Sequence, residues 1–117
     1  MLLLITTAAP ASETWHLPDW SARAVVEISQ PVAGGNVDAA AVKVYCQGRG
    51  KADGSDYRVL DAAGNPVPFQ LAFHNAAHYS LIAFRASKPA ARARFYVYFG
   101  NSKAVRAAEQ IADDARP

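Results

Sequence analysis

The stretch Asp53-Gly54-Ser55-Asp56, followed by Asp61, gathers hard oxygen ligands around a glycine. Calcium loops use this combination, with carboxylates for the ion and glycine for the sharp turn. The match to an EF-hand fails at the twelfth position, which carries no acid, and Lys51 and Arg58 stand among the carboxylates. Glycoside hydrolysis needs two carboxylates about 5–10 Å apart across a groove. Two aspartates on one short turn do not supply that. The structural alternative is that Asp56 begins a strand and holds its loop through side-chain-to-backbone hydrogen bonds, as Asp and Ser readily do.

His74 and His78 are four residues apart, a metal-binding spacing on a helix. Here they lie in "AFHNAAHYS", between two strand patterns, with no third ligand close in sequence. Cys46 shares an apolar strand face with Val42 and Val44 and reads as a buried structural thiol, since nothing nearby in sequence would depress its pKa. His16 has no visible partner. The serines lack a Gly-x-Ser-x-Gly setting, and there is no phosphate loop. The expectation is therefore no catalytic residue, no metal and no cofactor.

The aromatic run Arg94-Phe95-Tyr96-Val97-Tyr98-Phe99 offers a different chemistry. In a strand, Phe95, Val97 and Phe99 enter the core while Arg94, Tyr96 and Tyr98 share the opposite face. Tyrosine rings beside an arginine can stack on sugar rings and hydrogen-bond at their rims. The same pattern also suits any half-buried antiparallel strand. If a ligand is bound at all, the sequence places weak contact on Arg94, Tyr96 and Tyr98.

Several short strands must position these residues. Alternation over 22–30 puts Ala24, Val26 and Ile28 on one face, and over 40–46 it aligns Val42, Val44 and Cys46. Residues 57–61 and 66–72 flank the turn Ala62-Ala63-Gly64-Asn65 and read as a hairpin. Residues 79–87 are apolar on both faces, as in a central strand, and 92–99 form the strongest strand. The expected core is Ala24, Val26, Ile28, Val42, Val44, Val59, Phe69, Leu71, Ile82, Phe84, Phe95, Val97 and Phe99. Helical spacing occurs once, at Ala104, Val105, Ala108, Ile111 and Ala112, with Ser102 placed to cap. The fold class is all-β, an antiparallel β-sandwich of jelly-roll or lectin-like type with one short C-terminal helix.

The 117 residues suffice for one domain, and a formal charge of +2 without a basic cluster argues against nucleic acid. A single cysteine excludes an internal disulfide. Leu2–Ile5 followed by Ala9-Pro10-Ala11, without a basic n-region, reads as a clipped signal peptide over 1–11 or a wrongly chosen start codon, with an ordinary apolar segment or first strand as the alternative. No stretch reaches the roughly 20 apolar residues of a membrane span. The reading is a domain over 12–102, then a helical linker over 103–117 toward a further domain, in an exported protein.

Four blocks occur in order: Trp20-x-x-Arg23, Asp53-Gly54-Ser55-Asp56-Tyr57-Arg58, Asp61…Gly64-Asn65-Pro66, and Tyr96-Val97-Tyr98-Phe99-Gly100-Asn101. Together they resemble a bacterial domain-of-unknown-function family of exported and surface proteins, also found attached to proton-channel proteins of the MotA/TolQ/ExbB type. The resemblance covers about residues 20–104. It implies a lectin-like β-sandwich with an accessory role and brings no catalytic residues. Phe99 stands where that family usually has a second tyrosine, and the alanine-rich tail departs from the pattern. Trp20, Arg23, Asp56, Arg58, Gly100 and Asn101 become structural motif residues, with Arg23 expected to pair with a carboxylate such as Asp56. The functional expectation is a non-catalytic accessory module that binds a glycan or cell-surface ligand weakly and joins further domains of the same polypeptide. The alternatives are an accessory fragment of a polysaccharide-degrading enzyme or a pure spacer.

Overall fold

A computed structural model describes residues 4–6, 14–28, 39–85 and 93–111. Among the described residues the strands are β1 (Leu4–Thr6), β2 (Ala22–Ile28), β3 (Ala39–Val44), β4 (Arg58–Asp61), β5 (Phe69–His74), β6 (Ser80–Arg85), β7 (Ala93–Phe99) and β8 (Gln110–Ile111). They form two four-stranded sheets, ordered β1-β2-β7-β4 and β3-β6-β5-β8. All pairings are antiparallel except β5 with β8. Among the described residues every regular element is a strand, so the chain is all-β.

The alternation of apolar residues sets the register, because a one-residue slip would turn each strand inside out. Val26, Val59, Phe95, Val97 and Phe99 from the first sheet join Val42, Val44, Phe69, Ile82 and Phe84 from the second in one buried cluster. Phe84 and Phe95 meet across the sheets with ring centroids 5.0 Å apart. Ala24 and Leu71 pack against this cluster while partly exposed. The Ile28 side chain lies outside the described residues. Tyr57, Cys46, Ala22 and Ala40 complete the core. Strands β6 and β7 each have a neighbour on both sides.

Two expectations are corrected. Residues 57–61 and 66–72 do not form a hairpin within one sheet: β4 belongs to the first sheet and β5 to the second. Pairing stops after the bridge Leu60↔Pro66 and the bond from Val67 N to Val59 O. Pro66 and Pro68 lack the N–H groups a ladder would need, so the chain leaves one sheet and enters the other.

The terminal helix is also absent over 103–111; its remaining positions, 112–117, lie outside the described residues. Turns lead instead to β8, which lies parallel to the start of β5. The cause is tertiary competition for backbone carbonyls. Ala104 O accepts Lys51 Nζ, Val105 O accepts the Arg58 guanidinium, and Glu109 O accepts Phe69 N. A short alanine-rich helix has too little intrinsic stability to hold those carbonyls to itself.

Leu4–Thr6, within the segment read as a leader, runs antiparallel to Val25–Glu27 as an edge strand. No helix among the described residues is long and apolar enough to cross a membrane.

Candidate functional site

The face carrying Arg94, Tyr96 and Tyr98 is not an open platform. Tyr96 is 5% exposed and Tyr98 is fully buried. Residues 14–20, which have no strand periodicity, lie over this face. Leu17 and Trp20 pack on a second cluster made by Val25, Leu60, Tyr96 and Tyr98. Trp15 meets Tyr98 edge-on, and His16 leans on Tyr96. The Tyr98 hydroxyl accepts hydrogen bonds from His16 N at 2.8 Å and from the Arg23 guanidinium at 3.0 Å. Arg94 pairs with Glu27 at 3.4 Å. A stacking site for a sugar on Tyr96 and Tyr98 is therefore overturned: tryptophan, histidine and leucine already occupy that surface.

Arg23 does not reach Asp56. Its guanidinium lies 4.4 Å from the Tyr96 ring centroid and 4.7 Å from that of Trp15, and it donates to Thr14 O. Cation–π contact and a backbone carbonyl thus serve it in place of the expected carboxylate.

Asp56, fully buried, is the organising acid of the loop end. Its Oδ2 accepts Gly100 N at 2.7 Å and Asn101 N at 3.1 Å, and its Oδ1 accepts Lys51 N at 3.2 Å. Its backbone oxygen accepts the Trp20 indole N–H at 2.7 Å. Gly100 has a φ of 88°, and a Cβ there would stand 2.3 Å from Ser21 Oγ, so only glycine presents its amide to the carboxylate in this way. Arg58 lies over the Trp20 ring and donates to Ser55 O and Tyr57 O. Burial lowers the Arg58 pKa from its ordinary value. The Asp53 carboxylate accepts both the amide and the hydroxyl of Ser55, which hold its pKa below the usual carboxylate value. Both oxygens of Asp56 are thus engaged by backbone amides, whereas exposed Asp53 is engaged through one oxygen by Ser55. Among the described residues, no three or more His, Cys, Asp or Glu side chains form a group fit for a metal ion.

One arrangement has the distances of a catalytic pair. His74 Nδ1 lies 2.6 Å from Ser80 Oγ, and the Tyr57 hydroxyl donates to that oxygen at 2.9 Å. Nucleophile–base pairs have this separation. Ser80 and Tyr57, however, are both fully buried. His74 Nε2 faces the carbonyls of Ala52 at 3.0 Å and Lys51 at 3.3 Å. Those two acceptors place the proton on Nε2, so the chain of donation runs from Tyr57 through Ser80 to His74 and on to the loop backbone. Burial pushes the Tyr57 hydroxyl well above its ordinary pKa. The network joins β5, β6 and the 51–57 loop. Sequence reading missed it because 74 and 80 become neighbours only through the pairing His74↔Ser80.

Cys46 is fully buried, with Sγ 3.4–3.8 Å from the carbonyls of Asn75, Ala76 and His78. His78 is exposed and does not join His74 around a common centre.

Besides Trp15, two exposed aromatic residues lie on the second sheet. Tyr45 is 55% exposed and Phe73 43% exposed, and both approach Tyr79, with ring centroids 6.0 and 5.3 Å away. Lys43 Nζ stands 4.7 Å from the Tyr79 centroid and 5.9 Å from that of Tyr45. A cleft of about 630 Å³ lies elsewhere, lined by Pro66, Pro68, Phe69, Phe84 and Phe95 among others.

Comparison with known proteins yields no matching family model, no similar curated protein and no similar solved structure.

Proposed function

We propose that this chain is a non-catalytic accessory module, a β-sandwich of jelly-roll or lectin-like kind, belonging to an exported bacterial protein. The observation that carries the reading is the internal use of its reactive groups. Ser80 and His74 have the spacing of a catalytic pair, yet Ser80 is fully buried and its hydroxyl bridges Tyr57 to the loop-anchoring histidine. Asp56, the best-placed carboxylate, holds three backbone amides. A buried, fully hydrogen-bonded polar network rigidifies a fold and offers no open valence to a substrate. The single core drawn from both sheets supports the sandwich description. Export and the accessory role rest on the resemblance of the Trp20–Asn101 blocks, since Leu4–Thr6 of the leader-like stretch pairs with β2 as a strand.

The test pairs activity with stability. Purified protein is offered ester, peptide and glycan substrates beside its Ser80→Ala and His74→Ala variants. The expected outcome is no turnover by any of them, with lowered melting temperatures for both variants. Turnover that Ser80→Ala abolishes would overturn the reading.

A further inference from the structure

We infer that the corner formed by Lys43, Tyr45, Phe73, Tyr79 and Leu81 is a binding site for an acidic glycan, one whose pyranose rings carry carboxylates. This rests on the accessory-module reading and moves the ligand surface from the covered tyrosine face to the opposite sheet.

The outer row of the second sheet is built by register. Lys43 pairs with Leu81, and Leu81 pairs with Phe73, so three outward side chains lie side by side across β3, β6 and β5. Tyr45 and Tyr79, just beyond the ends of β3 and β6, add the next row. Simple alternation would have sent Phe73 inward with Phe69 and Leu71. The shift in register between Leu71 and Phe73 turns it outward instead. Bulges re-aim side chains in this manner and recur beside binding sites. Exposing a phenylalanine forgoes the burial that its alternation would otherwise provide.

The base of the corner is braced. Gln47 N donates to His78 O and Gly48 N to Ala76 O, with Gln47 itself at a φ of 49°. The buried Cys46 sulfur lies against the same loop. The loops bearing Tyr45 and Tyr79 are therefore cross-linked, so little ordering would be required on binding.

Charge selects the partner. None of the β3, β5, β6 and β8 segments contains Asp or Glu, whereas Lys43 supplies positive charge at the corner. Among the described residues no carboxylate is within ion-pair distance of Lys43, whose ammonium rests on two ring faces. Rings offer stacking surface for sugar C–H groups, and the adjacent ammonium offers a counter-charge for a uronate. The tilted rings, at 52° and 40° to Tyr79, make a shallow cradle rather than an enclosed pocket. Affinity is accordingly weak.

The experiment titrates the whole chain with oligogalacturonate, and with a neutral gluco-oligosaccharide of equal length, by calorimetry at low and high salt. Tyr45→Ala, Phe73→Ala and Lys43→Gln are tested alongside, each verified as folded by circular dichroism. The expected result is saturable binding of the acidic oligomer, weakened about tenfold or more by either aromatic variant. Lys43→Gln should lose about threefold at low salt and remove most of the salt dependence. Absence of binding by folded wild-type protein would overturn the inference, as would binding that all three variants retain. Equal affinity for the neutral oligomer would overturn the acidic assignment. A wild-type dimer that Phe73→Ala dissociates would overturn it too, by making the corner a subunit interface. Shortening of the bound oligomer would sink the non-catalytic reading while leaving the site in place, so the two proposals fail separately.

Discussion

The carboxylate of Asp56 accepts the amide of Gly100 at 2.7 Å, joining the loop before β4 to the end of β7 across 44 residues of chain. That bond sits beside two others to the same side chain, from Asn101 N and Lys51 N. Hydrogen bonds to a charged group contribute about 1.5–3 kcal/mol each, and they share one acceptor here. Asp56→Ala should therefore destabilise by about 3 kcal/mol or more, because three backbone donors lose a buried acceptor. Urea unfolding measures it. A loss under about 1 kcal/mol would show that water replaces the carboxylate.

Gly100→Ala tests the other half of this relationship. Its left-handed φ of 88° and a Cβ placed 2.3 Å from Ser21 Oγ require the strand end to shift. The expected cost is about 1–3 kcal/mol, read from the same unfolding curves. Retained stability would mean that the turn relaxes without losing the Asp56 contact.

Truncation on either side of β7 should be destabilising. Phe95→Ala and Val97→Ala remove atoms from the core between the sheets, and Tyr96→Ala removes a ring buried under His16 and Arg23. Losses of about 2–5 kcal/mol are expected for the larger side chains. An open tyrosine platform would instead make Tyr96→Ala nearly neutral. Thermal denaturation distinguishes the two.

The pH prediction concerns Tyr57. Its burial raises the hydroxyl's pKa above the ordinary 10.0, so the folded state keeps a proton that the unfolded chain releases. This contribution is fully present below pH 10 and is lost as the pH climbs above it, since unfolding then releases a proton. Tyr57→Phe should cost about 1 kcal/mol at neutral pH, through the lost bond to Ser80, and flatten the alkaline decline in stability. An alkaline profile unchanged by the substitution would contradict this account.

Calcium at millimolar concentration should leave the melting temperature of chelator-treated protein unchanged. Asp53 is engaged by Ser55 and Asp56 by backbone amides, so neither carboxylate is turned toward a common centre. A rise of several degrees would reveal a site.

Much of the two-sheet core was legible, because Val42/Val44/Cys46 and Phe95/Val97/Phe99 alternate strictly and only one register buries them. The covering of Tyr96 and Tyr98 was not, since residues 14–20 carry no periodicity and their role depends on tertiary contacts with the Tyr98 hydroxyl and with Asp56 O. The alanine spacing after Ser102 is a true helical pattern, overridden by acceptors that Lys51, Arg58 and Phe69 require. Pro66 and Pro68 break the ladder that the Gly-Asn turn beside them suggests. The Tyr45–Phe73–Tyr79 corner stayed hidden because alternation alone points Phe73 inward, and a register shift has no simple sequence mark.

Both tryptophans of the chain, Trp15 and Trp20, belong to the segment that lies over β7, with none in the core between the sheets. Indole emission is thus a reporter of that overlay and of its attachment, through the Trp20 N–H on Asp56 O, to the loop before β4. If the overlay lifts before the sheets part, fluorescence will record the earlier event and circular dichroism the later one, so an optical comparison on unlabelled protein can separate the peeling of a covering layer from the collapse of the fold beneath it.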